Sequence, residues 1–238
     1  MREQKVEAED VGCMNTRIRY LILFLGSACI ASICSNMTTL NFTLICMGTV
    51  NKTTGESAVF DENTPRGTGE RGLYDYTAKE RTMLMGSVGV GTLLAAWPFH
   101  LLYERFGARI VFFCAGMIST FSTVLIPFVA ARSFPLFVGL RVLQGISFGA
   151  DFAAIGLITV HWASLKQHGF FISLLTSFSQ ISVMFTMPVS GELCESSWGW
   201  PSVYYVHSAL SAFLFILWLV FFRNDPAKHK LMTEIEPS

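Results

Sequence analysis

The sequence predicts an all-α membrane protein, a bundle of six transmembrane helices, and three observations carry that expectation. Only 14% of the 238 residues are charged while 52% are hydrophobic, against roughly 25% charged in a soluble domain. Six apolar stretches, at about 18–47, 82–103, 110–131, 135–160, 169–191 and 203–222, are each long enough to span a bilayer. Glycine and phenylalanine are abundant, at 19 and 21 residues, as tightly packed, lipid-facing helices favour.

The first stretch begins after Arg17 and Arg19, and its second half is polar, with Ser35, Asn36, Thr38, Thr39, Asn41 and Thr43. That half is expected to face protein or water rather than lipid. Residues 1–17 mix acids and bases, unlike a signal peptide, and read as a short solvated cytoplasmic tail. Residues 48–81, with Gly67-Thr-Gly69 and Arg71-Gly72, read as an exposed loop. Residues 223–238 read as a second cytoplasmic tail. With both termini inside, the inner segments hold ten Lys and Arg residues and the outer ones six, the sign the positive-inside rule requires. Of the sequons at Asn36, Asn41 and Asn51, only Asn51 is placed for glycosylation, in the outer loop. The six cysteines show neither a paired motif nor the framework of a secreted domain, and most lie in apolar runs as small hydrophobes.

Arg141 stands inside the fourth stretch. An arginine there costs roughly 2.5–3.5 kcal/mol on insertion scales, so it faces a cavity or a partner. Arg141, Gln144, Gly145 and Phe148 share a helix face, and Gly145, Gly149 and Ala153 form a small-residue stripe for close helix packing. Two readings stand side by side: a polar wall that receives an anionic solute, or an arginine that pairs with carbonyls to hold helices together. In the fifth stretch Ser173, Thr176, Ser177, Ser179, Gln180 and Ser182 either line a path or bond between helices. No His/Cys/Asp cluster has metal-ligand spacing, no catalytic set is recognisable, and no basic patch suggests nucleic acid. Neither an enzyme nor a resident cofactor is expected.

Tyr103-Glu-Arg-Phe-Gly-Ala-Arg109 resembles the charged loop between the second and third helices of the major facilitator superfamily, with Glu104 where that loop has aspartate. Further motifs resemble its anion:cation symporter family, which includes sodium/phosphate and vesicular glutamate transporters. They are Gly91 with Pro98, Arg141-Val-Leu-Gln-Gly145, Met187-Pro188-Val-Ser-Gly191, Gly199-Trp200-Pro-Ser-Val-Tyr-Tyr-Val206 and Asp225-Pro-Ala-Lys-His229. They run in order from about 80 to 230. The resemblance implies two three-helix repeats of inverted topology, half of a major facilitator fold, and transport by alternating access of a small organic or inorganic anion. It implies a latch of Glu104, Arg105 and Arg109, a substrate site with Arg141 and Gln144, and sodium or a proton as coupling ion. The family's helix-one arginine and helix-four glutamate fall at Met37 and Phe148, and the aromatic pair flanking Gly91 is replaced by Val90 and Thr92. Asp151, one turn beyond Phe148, is the remaining carboxylate for a titratable or substrate-binding role. A half-length chain presents one wall of a cavity. Its expected partners besides lipid and solute are a second half-chain or a full-length relative. The alternative is a non-transporting protein that pairs with and modulates a full-length transporter.

Overall fold

The computed structural model describes residues 2–49, 76–130, 132–163 and 167–222, and in the first helix the side chains from 19 to 47. Six elements follow in order: α1 (Arg2–Thr49), α2 (Ala78–Ala130), α3 (Phe134–Trp162), α4 (His168–Thr176), α5 (Phe178–Glu195) and α6 (Pro201–Phe221). No strand occurs among the described residues. Five helical segments are long and apolar enough to cross a membrane: Arg19–Met47, Ala78–Ala130, Phe134–Trp162, His168–Glu195 and Pro201–Phe221. The cytoplasmic tail expected at 1–17 is helical from Arg2, continuous with the first span. Most of the 48–81 loop, Asn51 with it, and the 223–238 tail lie outside the described residues.

At 53 residues α2 is about 80 Å of helix, more than twice a hydrocarbon core. It doubles back at Gly107, whose φ of 75° and ψ of 165° are non-helical and open to a residue without a Cβ. Its two ends meet: the Tyr76 hydroxyl donates to the Ala130 carbonyl at 2.8 Å. The helix starts where it does because Thr77 and Glu80 form a capping box. The Glu80 amide donates to Thr77 Oγ1 at 3.3 Å and the Thr77 amide to Glu80 Oε2 at 3.0 Å, so two orphan donors are satisfied reciprocally. The outer loop expected to run to residue 81 therefore gives way to helix at Ala78.

The break between α4 and α5 at Ser177 has neither proline nor glycine. Ser173 donates to Gly169 O at 2.8 Å, Thr176 to Ile172 O at 2.7 Å and Ser177 to Leu174 O at 2.7 Å. Hydroxyls turned back on their own helix in succession compete with its ladder and bend it. These three hydroxyls of the fifth stretch are thus spent locally, and Gln180 is exposed.

α1 lies against α5, α6 and α3, and its polar half is buried, as its composition predicts. Ser32 meets Ser211 at 3.3 Å, Ser35 meets Thr186 at 2.6 Å, Asn36 Nδ2 donates to Ser119 Oγ at 3.1 Å, and Thr43 meets Tyr204 Oη at 2.6 Å. In an apolar surrounding such pairs replace the hydration these groups lose, each at a net gain of about 1 kcal/mol.

Cys46 and Cys194 form a disulfide across 148 residues. This corrects the reading of the cysteines as small hydrophobes: Cys29 and Cys34 are buried thiols and Cys114 is an exposed one, but Cys46 and Cys194 join the ends of α1 and α5. With Ala78, Ala130 and Phe134 they mark one end of the bundle; Gly107, Trp162 and Phe221 mark the other. Cys46→Ser is expected to lower stability by about 2–4 kcal/mol. Thermal unfolding in detergent, with and without reductant, checks it: wild type plus reductant should match the variant, and identical midpoints for oxidised wild type and variant would refute it.

Candidate functional site

α2 and α3 approach so closely that backbone meets backbone. A Cβ on Gly91 would fall on the carbonyl oxygen of Val142, and one on Gly145 on that of Val88, while one on Gly149 would meet Ala95 Cβ at 2.9 Å. Thr92 Oγ1 donates across the seam to Gly145 O at 3.1 Å. The stripe read from the sequence therefore packs against the first arm of α2 through Gly145 and Gly149, with Gly91 as its counterpart.

This approach sets Arg141 between three helices. Its side chain is 2% exposed. Nε donates to Leu84 O at 3.2 Å, and Nη1 to Met37 O and Gln144 Oε1, both at 2.8 Å. Gln144 Nε2 in turn donates to Thr123 Oγ1 at 2.8 Å and Asn36 O at 3.2 Å. The i, i+3 spacing of Arg141 and Gln144 thus aligns two side chains that bind α1 and both arms of α2 to α3. Met37, where the family pattern has an arginine, contributes its carbonyl. The carbonyl-pairing reading of Arg141 describes Nε and Nη1. The other terminal nitrogen, Nη2, has no acceptor among the described residues, and Tyr204 of α6 stands within electrostatic range of the guanidinium.

Asp151 is placed apart from this network. Ten residues on is about 15 Å along the helix. It is wholly buried, and neither carboxyl oxygen meets a donor among the described residues. Cys29, Cys34 and Tyr103 lie within electrostatic range of it. Phe148, one turn back, stacks edge-on against Phe152 and Phe178, so the glutamate position of the family pattern is filled by an aromatic cluster.

Of the expected latch, Glu104 is exposed and pairs with His100 at 3.4 Å, and Arg105 is exposed. Arg109 turns to α6: Nε and Nη2 donate to Leu219 O at 3.0 and 2.7 Å, satisfying a carbonyl in the last turn of that helix. A pocket of about 240 Å³ opens at this end of the bundle, lined by Tyr103, Glu104, Leu157 and His161 among others. His207 is buried at the opposite end, with Nδ1 2.8 Å from Val203 O and its ring edge-on to Phe185, a packed residue. No cluster able to hold a metal occurs among the described residues.

Residues 24–237 match the Major Facilitator Superfamily. The human "Probable small intestine urate exporter" is 27% identical over 160 residues, covering 67% of this chain and 32% of that protein. The bovine "Vesicular glutamate transporter 2" is 26% identical over 167 residues, covering 70% and 28%. The human "Sodium-dependent phosphate transport protein 1" is 26% identical over 218 residues, covering 89% and 45%. The chain therefore spans under half the length of these curated relatives. With a match over most of its residues and helices of this length and apolarity, it is an integral, multi-pass membrane protein that belongs to the Major Facilitator Superfamily, with relatives in the anion:cation symporter family.

Proposed function

We propose that this chain is one six-helix half of a secondary transporter that moves a small organic or inorganic anion by alternating access. The six crossings are α1, the two arms of α2, α3, α4 with α5, and α6, arranged as two inverted three-helix repeats. The opposing wall comes from a second half-chain or a full-length relative. The observation that carries the anion is Arg141, a guanidinium held by Leu84, Met37 and Gln144 with Nη2 left over. A pre-positioned cationic nitrogen of this kind, its own N–H groups free, suits a carboxylate or phosphate oxygen. The names of the relatives, for urate, glutamate and phosphate, favour the same class. Sodium or a proton is the coupling ion. Both termini lie on the cytoplasmic side with the Gly107 end, and the 48–81 loop lies outside with the disulfide, on the side where disulfides persist. Glu104, Arg105 and Arg109 then lie at the cytoplasmic mouth, where the first two are exposed to pair with the opposing wall.

The test is uptake of labelled phosphate, urate and glutamate into sealed proteoliposomes, by the purified chain alone and together with any six-helix partner that co-purifies. Saturable uptake of one anion under a sodium or proton gradient is expected. Absence of uptake in both preparations, with a full-length transporter co-purifying and changing its own rate when the chain is removed, would establish the modulating role instead.

A further inference from the structure

We infer that the break at Ser177 is a hinge on which α4 swings relative to α5, with water reaching the opened ladder from the side that carries Thr176 and Gln180. The main-chain bonds across the break are incomplete. The Ser177 amide donates to Ser173 O at 3.1 Å and Leu174 O at 3.3 Å, and the next bond is Ile181 N to Ser177 O at 3.1 Å. Between them the amides of Phe178, Ser179 and Gln180 have no main-chain acceptor among the described residues. Hydroxyls close the end of α4 instead: Thr176 Oγ1 donates to Ser173 O at 3.2 Å and Ser177 Oγ to Leu174 O at 2.7 Å. α4 thus ends as a helix complete in itself, and a helix bends where side chains or water stand in for ladder bonds. At membrane depth such an interruption persists only inside protein or beside water, since lipid offers an amide no acceptor. Thr176 and Gln180 are exposed and Ser177 and Ser179 half-buried, so the chain does not seal the break itself.

The two segments are also held differently. α5 is tied to α1 by the Cys46–Cys194 disulfide and by the 2.6 Å contact of Ser35 with Thr186. α4 is held by two buried apolar side chains, Phe171 and Leu175, by the edge-on rings of Tyr20 and Phe170, and by Gln167 Nε2 donating to Tyr20 Oη at 3.3 Å. A covalent bond and a short polar one fix a position, whereas apolar contact is non-directional and lets one surface slide over another. The movable part is therefore α4, nine residues at the Gly107 end of the bundle, and a few residues at the junction of two elements absorb the motion. The hinge is a property of the backbone. It stands whichever anion the chain carries, and whether or not it transports one.

Two measurements on the full chain in lipid nanodiscs test it. The first uses a chain in which serine replaces Cys13 and the exposed Cys114, so that the buried Cys29 and Cys34 stay unlabelled. Spin labels go on Phe121→Cys together with either Ile172→Cys or Met184→Cys, all three positions being exposed. The pair that spans α2 and α4 should give a broad or two-peaked distance distribution, and the pair that spans α2 and α5 a single narrow one. The second is hydrogen exchange of the wild type, resolved to single amides. Phe178, Ser179 and Gln180 should exchange at least about tenfold faster than Phe185, Thr186 and Met187 of the same helix. Equally narrow distributions for the two labelled pairs, or exchange at the first three amides as slow as at the other three, would overturn it.

Discussion

Gly145→Val is expected to leave almost no folded protein, and Gly145→Ala to lose about 3 kcal/mol or more. The first added carbon of either side chain lands on the carbonyl oxygen of Val88. Overpacking a core of side chains costs about 1–3 kcal/mol because neighbours can rotate aside. Here the neighbour is backbone, held in an α2 helix that cannot rotate away. Moving the helices apart would also break Thr92 to Gly145 and draw Leu84 O away from Arg141. Gly139, in the same helix, is the internal control: a Cβ there meets nothing within 4 Å, so Gly139→Ala should gain up to about 1 kcal/mol of helix propensity. Yield of monodisperse protein and thermal midpoint in detergent measure both. Equal midpoints for the two alanine variants would show that the seam is looser than the distances indicate.

Arg141→Ala should destabilise the bundle by about 3–5 kcal/mol, as removal of one partner from a buried charged network does. It takes away the donor that Leu84 O, Met37 O and Gln144 Oε1 each receive from the guanidinium. Arg141→Lys keeps the charge and can satisfy one or two of them from a single nitrogen, so its loss should be about half as large. Anion binding separates the two uses of the side chain. A site at Nη2 predicts that Arg141→Lys, still folded, binds phosphate or a carboxylate at least about tenfold more weakly, because the single lysine nitrogen is taken by the protein acceptors and none is left over for the anion. An arginine that only ties helices predicts lower stability with unchanged affinity per folded molecule. Calorimetric stability and anion binding, taken on the same purified samples, decide between them.

The long apolar helices were legible because twenty apolar residues in a row have one physical use, and the break at Gly107 because charges and a glycine interrupt that run. The two interruptions that were missed have different causes. At Thr77 the signal was present, a threonine followed three residues on by glutamate, but it lay inside a polar segment that read as loop. At Ser177 the break comes from hydroxyls bonding back to their own helix, and serine and threonine in an apolar run serve equally well between helices. Arg141 and Gln144 announced a shared face by their spacing. Apart from Gln144 itself and Thr123, their acceptors are main-chain carbonyls of Met37, Leu84 and Asn36, which every residue type possesses, so little in the side-chain pattern marks them. Cys46 and Cys194 are 148 residues apart, and only the folding of α1 against α5 reveals them as a pair. The isolation of Asp151 is likewise a property of its surroundings; the sequence shows the acid but not the absence of donors.

The disulfide also carries a message about biosynthesis. On the proposed topology Cys46 emerges into the oxidising compartment as soon as the first crossing is made, and its partner follows 148 residues later, roughly 7–30 s at ordinary elongation rates. Four further crossings must be threaded in alternating directions during that wait. If one of them fails to insert, Cys194 is left on the opposite face and the two sulfurs never share a compartment. The oxidised fraction of a newly made population therefore records how faithfully the translocation machinery has threaded the chain, molecule by molecule, before any transport is measured.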